Sequence, residues 1–231
     1  MTRPALLWTL SLTAAAASAD HHEFTGPTLE PGFVRLFDGR TLDGWEKKGG
    51  EATYEVVDGA IVGTAVPNTP NTFLCTTKDY GDFELRLDYK CDDRLNSGIM
   101  FRAQSSPDYK DGRVHGYQCE IDPSDRAASA GIYDEARRGW LFPKKGDEEF
   151  TFADYKQKAG RFYENEGWNS VIIRCEGDRI TTTLNGREAA DLTDATDASG
   201  FIGLQVHGIG KKDPEPPMQV RWRNVRIKEL N

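Results

Sequence analysis

The run Gly116-Tyr117-Gln118-Cys119-Glu120-Ile121-Asp122 reads as a strand with two unlike faces. Side chains alternate along a strand, so Tyr117, Cys119 and Ile121 share the side suited to a core, while Gln118, Glu120 and Asp122 share the other. An amide and two carboxylates in a row, each about 6.5–7 Å from the next, can bind sugar hydroxyls or move protons. The same row would also serve as an ordinary solvated sheet face. Two further stretches repeat the design. Gly200–His207 sets Ile202, Leu204 and Val206 against Gly203, Gln205 and His207, and Asn96–Arg102 sets Ile99 and Phe101 against Met100 and Arg102. If these strands are neighbours in one curved sheet, their polar side chains converge on a concave surface that Tyr133 and Trp140 could wall. Polar groups for hydroxyls beside an aromatic plane for the C–H face of a ring mark a carbohydrate site. His207 sits mid-face in a patterned strand, and its titration near neutrality suits a general base, with a satisfied structural histidine as the plain alternative.

The elements that must position these residues are strands. Phe83–Cys91 alternates without a flaw, Phe83, Leu85, Leu87 and Tyr89 against Glu84, Arg86, Asp88 and Lys90. Asp58-Gly59 and Asn185-Gly186 are two-residue hairpin signals, and Glu176-Gly177-Asp178 joins another pair of strands. Turn signals recur at about eight to twelve residues and delimit about twelve strands, with no convincing amphipathic helix, which predicts an all-β chain folded as a two-sheet sandwich. Residues 134–167 break the pattern. That inserted stretch carries Arg137, Arg138, Trp140, Phe142, Phe150, Tyr155, Phe162 and Tyr163 among many charges, and its length without a period points to a functional loop or lid.

Arg3 precedes an apolar run from Ala5 to Ala17 that ends in Ala17-Ser18-Ala19. This is the pattern of a secretory signal peptide over residues 1–19, too short for a membrane span and followed by no cysteine for a lipid anchor. The expected mature domain is 20–231, exported to the periplasm or secreted, and beginning with the polar pair His21-His22. Loss of Arg3 takes the formal charge from −8 to −9. An acidic chain with no Lys/Arg block argues against nucleic acid and anionic membrane as partners and leaves a small neutral or cationic molecule. The four cysteines, Cys75, Cys91, Cys119 and Cys175, form no C-x-x-C pair, so a zinc knuckle is not expected. Three complete disulfide pairings are open to them, as are buried free thiols. Oligomeric state leaves no mark in the sequence.

A retaining glycosidase needs two carboxyl groups about 5–5.5 Å apart, and Glu120 and Asp122 could approach that. Laminarinase-type glucanases, which share this kind of sandwich, carry Glu-x-Asp-x-x-Glu; here the run is Gln-x-Glu-x-Asp followed by Pro123-Ser124-Asp125. An ordered set of phrases resembles a different family, the 3-keto-disaccharide hydrolase domain family: FVRLFDGRTLDGW (Phe33 to Trp45), YEVVDGAIVG (Tyr54 to Gly63), DFELRLDYK (Asp82 to Lys90), NSGIMFR (Asn96 to Arg102), GYQCEID (Gly116 to Asp122), GIY (Gly131 to Tyr133), Trp168-Asn169, LNG (Leu184 to Gly186), GLQVHG (Gly203 to Gly208) and the closing VRWRNVRIKEL. The resemblance implies a concanavalin A-like jelly roll of the lectin/glucanase type and exported enzymes acting on sugars oxidised at C3. A ketone at C3 acidifies the C2 proton; its removal gives an enolate that expels the C1 substituent, and water adds back. Such chemistry assigns His207 as base or metal ligand, and Glu120 and Asp122 as acid/base partners or ligands. Arg102 would steady the enolate, and Gln118, Gln205 and Tyr133 would bind hydroxyls. A hard divalent ion held by Glu120, Asp122 and His207 is the candidate cofactor. Two readings compete: a non-catalytic carbohydrate-binding module, and a glycoside hydrolase using Glu120 and Asp122 on unoxidised sugars.

Overall fold

The computed structural model describes residues 28–212 and 214–230, so the expected leader and His21-His22 lie outside the described residues. Among the described residues the strands in chain order are β1 (Val34–Arg35), β2 (Trp45–Gly49), β3 (Thr53–Val57), β4 (Ala60–Thr64), β5 (Thr72–Tyr80), β6 (Phe83–Cys91), β7 (Ser97–Ala103), β8 (Gly116–Ile121), β9 (Ile132–Glu135), β10 (Gly139–Phe142), β11 (Asn169–Glu176), β12 (Arg179–Leu184), β13 (Arg187–Thr193), β14 (Gly200–Val206) and β15 (Gln219–Glu229). They form two sheets, in the orders β13-β12-β11-β6-β15-β4-β3, with β1 also on β15, and β10-β9-β8-β7-β14-β5-β2. Neighbours run antiparallel. This is the all-β, two-sheet antiparallel sandwich that the strand pattern predicts. The turns form where expected: Asp58-Gly59 and Asn185-Gly186 each place two successive residues at positive φ (51° and 73°; 49° and 77°), the requirement of the tight hairpin turn.

The two sheets differ in what covers them. In the first, β6 alternates buried and half-buried residues, with one face on the core and one in solvent. In the second, β7, β8 and β14 are buried at every position. Their inner face joins the main core through Ile99, Phe101, Tyr117, Cys119, Ile202 and Leu204. Part of their outer face is covered by a second apolar cluster that includes Phe73, Met100, Val114 and Phe201. The rest of that outer face is the polar site described below.

The 134–167 insertion is more ordered than a lid. It contributes β10, which extends the second sheet from β9, and a short helix α1 (Phe152–Lys158). Thr151 and Asp154 cap α1 reciprocally, a Thr-x-x-Asp signal on a helix whose seven residues are too few to show an amphipathic period. Tyr155 and Ala159 are fully buried in the main core. The four cysteines are buried free thiols, and burial pushes all four well above the ordinary thiol range, Cys175 to about 12. Among the described residues no helix is long and apolar enough to cross a membrane.

Candidate active site

The outer face of β8 carries Gln118, Glu120 and, just past its end, Asp122. Pairing brings the other predicted strand beside it: Glu120 opposes Gly98 of β7, which opposes Gln205 of β14. On the far side Gln118 opposes Tyr133 of β9, and Tyr133 opposes Trp140 of β10. The result is one cleft of about 400 Å³ lined by Gln118, Glu120, Asp122, Tyr133, Trp140, Gln205 and His207, together with Asn96, Ser124, Arg126 and Glu135. Seven of the eight residues singled out in the sequence therefore meet.

Arg102 does not join them. It takes a left-handed φ of 46° at an irregularity in the β7–β14 pairing. The extra residue passes the outer face to Ala103, and the Arg102 side chain turns to the end of the sandwich. There it is 1% exposed. It donates to Gly81 O and Gly177 O, both at 2.9 Å, to Asp197 O at 3.4 Å and to Asp82 Oδ1 at 2.7 Å. Arg102 ties loops together and cannot steady charge in the cleft.

The cation of the cleft is Arg126 instead. Its Nε donates to Asp122 Oδ2 at 2.6 Å, and its guanidinium lies 4.9 Å from the centre of the Trp140 ring. Trp140 is held edge-on between Tyr133 (5.3 Å) and Phe152 of α1 (5.0 Å), so the insertion supplies and props the aromatic wall. Asp122 is committed to organising this corner: it also accepts from Ser124 Oγ at 2.6 Å and from the Ala128 N–H at 3.3 Å.

Glu120 is treated differently. It is 4% exposed and faces neutral donors: Asn96 Nδ2 to Oε1 at 2.7 Å, and Gln118 Nε2 to Oε2 at 2.8 Å. Burial raises its pKa from 4.5 to about 7, against the lowering effect of the two amides, with a further rise from the charge of Asp122 and a lowering from Arg126. Gln118 reaches across Gly98 to accept from Gln205 Nε2 at 3.0 Å. A β-carbon at 98 would stand 2.4 Å from Gln118 Cδ, so glycine is required under this amide.

His207 is exposed at the rim, with Nδ1 2.7 Å from Gly208 O. Glu135 is a third carboxylate of the cleft; Asn71 Nδ2 donates to it at 3.2 Å, and Asn71 Oδ1 accepts from the Gly208 N–H beside His207 at 2.9 Å. Sequence could have found Glu135, which shares the parity of Tyr133 two residues on. Asn96 likewise opens the Asn96–Arg102 run on the parity of Met100, whereas Arg126 lies off any strand period and left no such signal. Glu120, Asp122 and His207 do not fit a divalent ion as a ready ligand set. The carboxyl oxygens are engaged by the amides, Ser124 and Arg126, and no group of three His, Cys, Asp or Glu side chains among the described residues is arranged to hold a metal.

Fold and cleft together define a β-sandwich with a polar, aromatic-walled ligand site on one sheet. Residues 32–228 match the 3-keto-alpha-glucoside-1,2-lyase-like domain, and the chain belongs to that family. It is similar to a 3-keto-disaccharide hydrolase of Bacteroides thetaiotaomicron, at 21% identity over 96% of this chain and 87% of that protein. A protein of Parabacteroides distasonis, provisionally named a glycosyl hydrolase, shares the fold at a TM-score of 0.57 and 22% identity, over 87% of this chain and 94% of that one. The carbohydrate-binding module CBM66 of Bacillus subtilis does so at 0.53 and 16%, over 80% and 96%. At such identities these two likenesses show the sandwich alone. The family relation places the chain among carbohydrate-active proteins.

Proposed function

We propose that this protein cleaves glycosides oxidised at C3, by proton abstraction at C2 and elimination at C1, with Glu120 as the base. The observation that carries the reading is a carboxylate at the floor of the cleft, held by neutral amides and pushed up to about 7. A base with that basicity is matched to a C2 proton acidified by a neighbouring ketone. The sugar lies against Tyr133 and Trp140. Glu120 takes the C2 proton, and the pair from the C–H bond becomes the C2–C3 double bond of an enolate with its charge on the C3 oxygen. Arg126 and the cleft amides face that charge. The pair then returns to form the C1–C2 double bond and expels the C1 oxygen, which is protonated at the mouth where His207 stands. Water adding across C1–C2 makes the net reaction a hydrolysis. Asp122 orients Arg126. The proposal includes export through the leader pattern at residues 1–19, checked by the N-terminal sequence of the protein recovered from its native host.

The test is turnover of a glucoside and of its 3-keto derivative by the wild type and by Glu120→Gln. Turnover of the keto sugar alone, lost in the variant, supports elimination. Cleavage of the plain glucoside would replace it with two-carboxylate hydrolysis. Binding of either sugar without turnover would make the cleft a carbohydrate-binding site only.

A further inference from the structure

Gln205 is fully buried in the cleft wall, and its Oε1 has no hydrogen-bond partner. Buried acceptors are rarely left so, and the cause here is logical rather than accidental. An ionised carboxylate only accepts. Gln118 must therefore turn its Nε2 to Glu120, which leaves its Oε1 for Gln205. Gln205 must then give its Nε2 to Gln118, and its own Oε1 is stranded. The polarity of the whole chain is dictated from the Glu120 end.

Asn96 decides which oxygen can change that polarity. Its Nδ2 donates both to Glu120 Oε1 and to Ile121 O, at 2.7 and 3.2 Å, so this amide is pinned by the backbone and cannot turn over. Oε1 meets a donor in either state, so a proton that is to reach the amide chain sits on Oε2, against Gln118. An O–H there needs an acceptor, so Gln118 turns its Oε1 to it, gives Nε2 to Gln205, and Gln205 turns in response to accept with Oε1. The stranded acceptor is then satisfied, and Gln205 places N–H groups where a carbonyl stood.

We propose that Gln118 and Gln205 form a proton-coupled amide relay, in which protonation of Glu120 reverses both amides and turns the buried Gln205 amide over in the cleft wall. The relay rests on the hydrogen bonds that join Asn96, Glu120, Gln118 and Gln205. Its use rests on the elimination reading: proton transfer to Glu120 turns the positive end of the Gln205 amide toward the cleft in which the oxyanion forms. Gln118 and Gln205 are thus positioning residues that couple an amide dipole to the proton. The other titratable groups around Glu120 are Cys119 on its own strand, Asp122 just past its end, Arg126, Tyr133 and Glu135 of β9, Tyr155 of α1 and His207 at the rim. Tyr133 and Tyr155, like Cys119, are driven by burial away from ionising near neutrality, so Glu120 is the group whose proton sets the relay.

The test is NMR of the substrate-free protein, following the side-chain NH2 signals of Gln118 and Gln205 and the Glu120 carboxyl carbon from pH 5 to pH 9. The relay requires all three to titrate with one midpoint. In Gln118→Met the Gln205 signal should stop titrating while the Glu120 carbon still does. If that variant does not fold, Gly98→Ala, which drives the Gln118 amide off its seat, gives the same reading. A Gln205 signal flat with pH in the wild type, or one that titrates equally in either variant through electrostatics alone, overturns the relay. No substrate enters this experiment. Its failure would leave the elimination reading standing, and inactivity on keto sugars would leave the relay result standing.

Discussion

Glu120→Gln separates the cost of the proposed base from its use. The folded state holds the Glu120 pKa at about 7, against an ordinary 4.5. The unfolded chain releases this proton at the ordinary value, so between those limits the folded state binds more protons, and its stability falls as pH rises. The full penalty, reached above the folded pKa, is about 3 kcal/mol at 1.36 kcal/mol per unit. Between pH 5 and pH 8 the portion that develops is about 2.5 kcal/mol. Glutamine has no such titration. Its amide meets Asn96 and Gln118 differently from a carboxylate, a difference that does not depend on pH and cancels when the two pH values are compared. Urea unfolding of both proteins at pH 5 and pH 8 should therefore show the variant gaining about 2.5 kcal/mol on the wild type over that interval. In activity the change runs the other way, with kcat/KM on a 3-keto glucoside falling by about 10²–10⁴ and the wild-type rate rising with pH to a plateau above about 7. A stability gap between wild type and variant that is the same at both pH values would refute the account of Glu120 as a buried group strained by its own ionisation.

Asn96→Asp puts a second carboxyl 2.7 Å from Glu120, where the two must share a proton; the rising limb of the pH–rate profile should move up by about one unit or more, and an unmoved limb would show that the Asn96 contact does not govern the base. His207→Ala, at the exposed rim, should lower kcat/KM by about tenfold and leave the pH limb in place; a loss as large as that of Glu120→Gln would return the role of base to the histidine. Arg102→Lys supplies one nitrogen where the buried guanidinium serves four acceptors, and should cost about 3 kcal/mol, read as a Tm lower by about 10 °C with KM unchanged; a shift in KM at unchanged Tm would put Arg102 back in the cleft.

Parity carried most of the site because β8 and β14 run regularly through it. With Gln118, Glu120, Asp122, Gln205 and His207 on outer faces, adjacency in one sheet is enough to bring them together. The same rule misplaced Arg102 because one irregular residue inverts every assignment after it, and a left-handed φ at arginine is invisible in sequence. It also stopped short of Glu135. Asp134-Glu135 reads as the start of a charged loop, yet Asp134 is fully buried because Arg137 and Arg138 bond it there, and these arginines also reach Asp197 and Asp194. These ion pairs accompany a strand that runs on through Glu135, whose parity with Tyr133 is its one mark in the sequence. Arg126 was hidden for a similar reason: its place depends on Asp122 and on Trp140 from the insertion, contacts that no periodicity encodes.

The allocation of charge in the cleft explains why the base and the cation have separate partners. A guanidinium bonded directly to Glu120 would favour the carboxylate and lower its pKa by about 1–3 units, removing the basicity that burial confers. Arg126 is bonded to Asp122 instead, and the negative charge of Asp122 raises Glu120 while the more distant guanidinium lowers it. The groups in contact with Glu120 are amides, which satisfy its oxygens while adding no net charge. Neutral donors hold the base, a carboxylate holds the cation, and the two remain within one cleft where the cation can meet charge developing on a substrate. With the cation next to Glu120, the carboxylate would be ionised at neutral pH but a weaker base. The order of neighbours around Glu120, more than the number of polar residues on the sheet, is what distinguishes a cleft fit for proton abstraction from one fit only for binding.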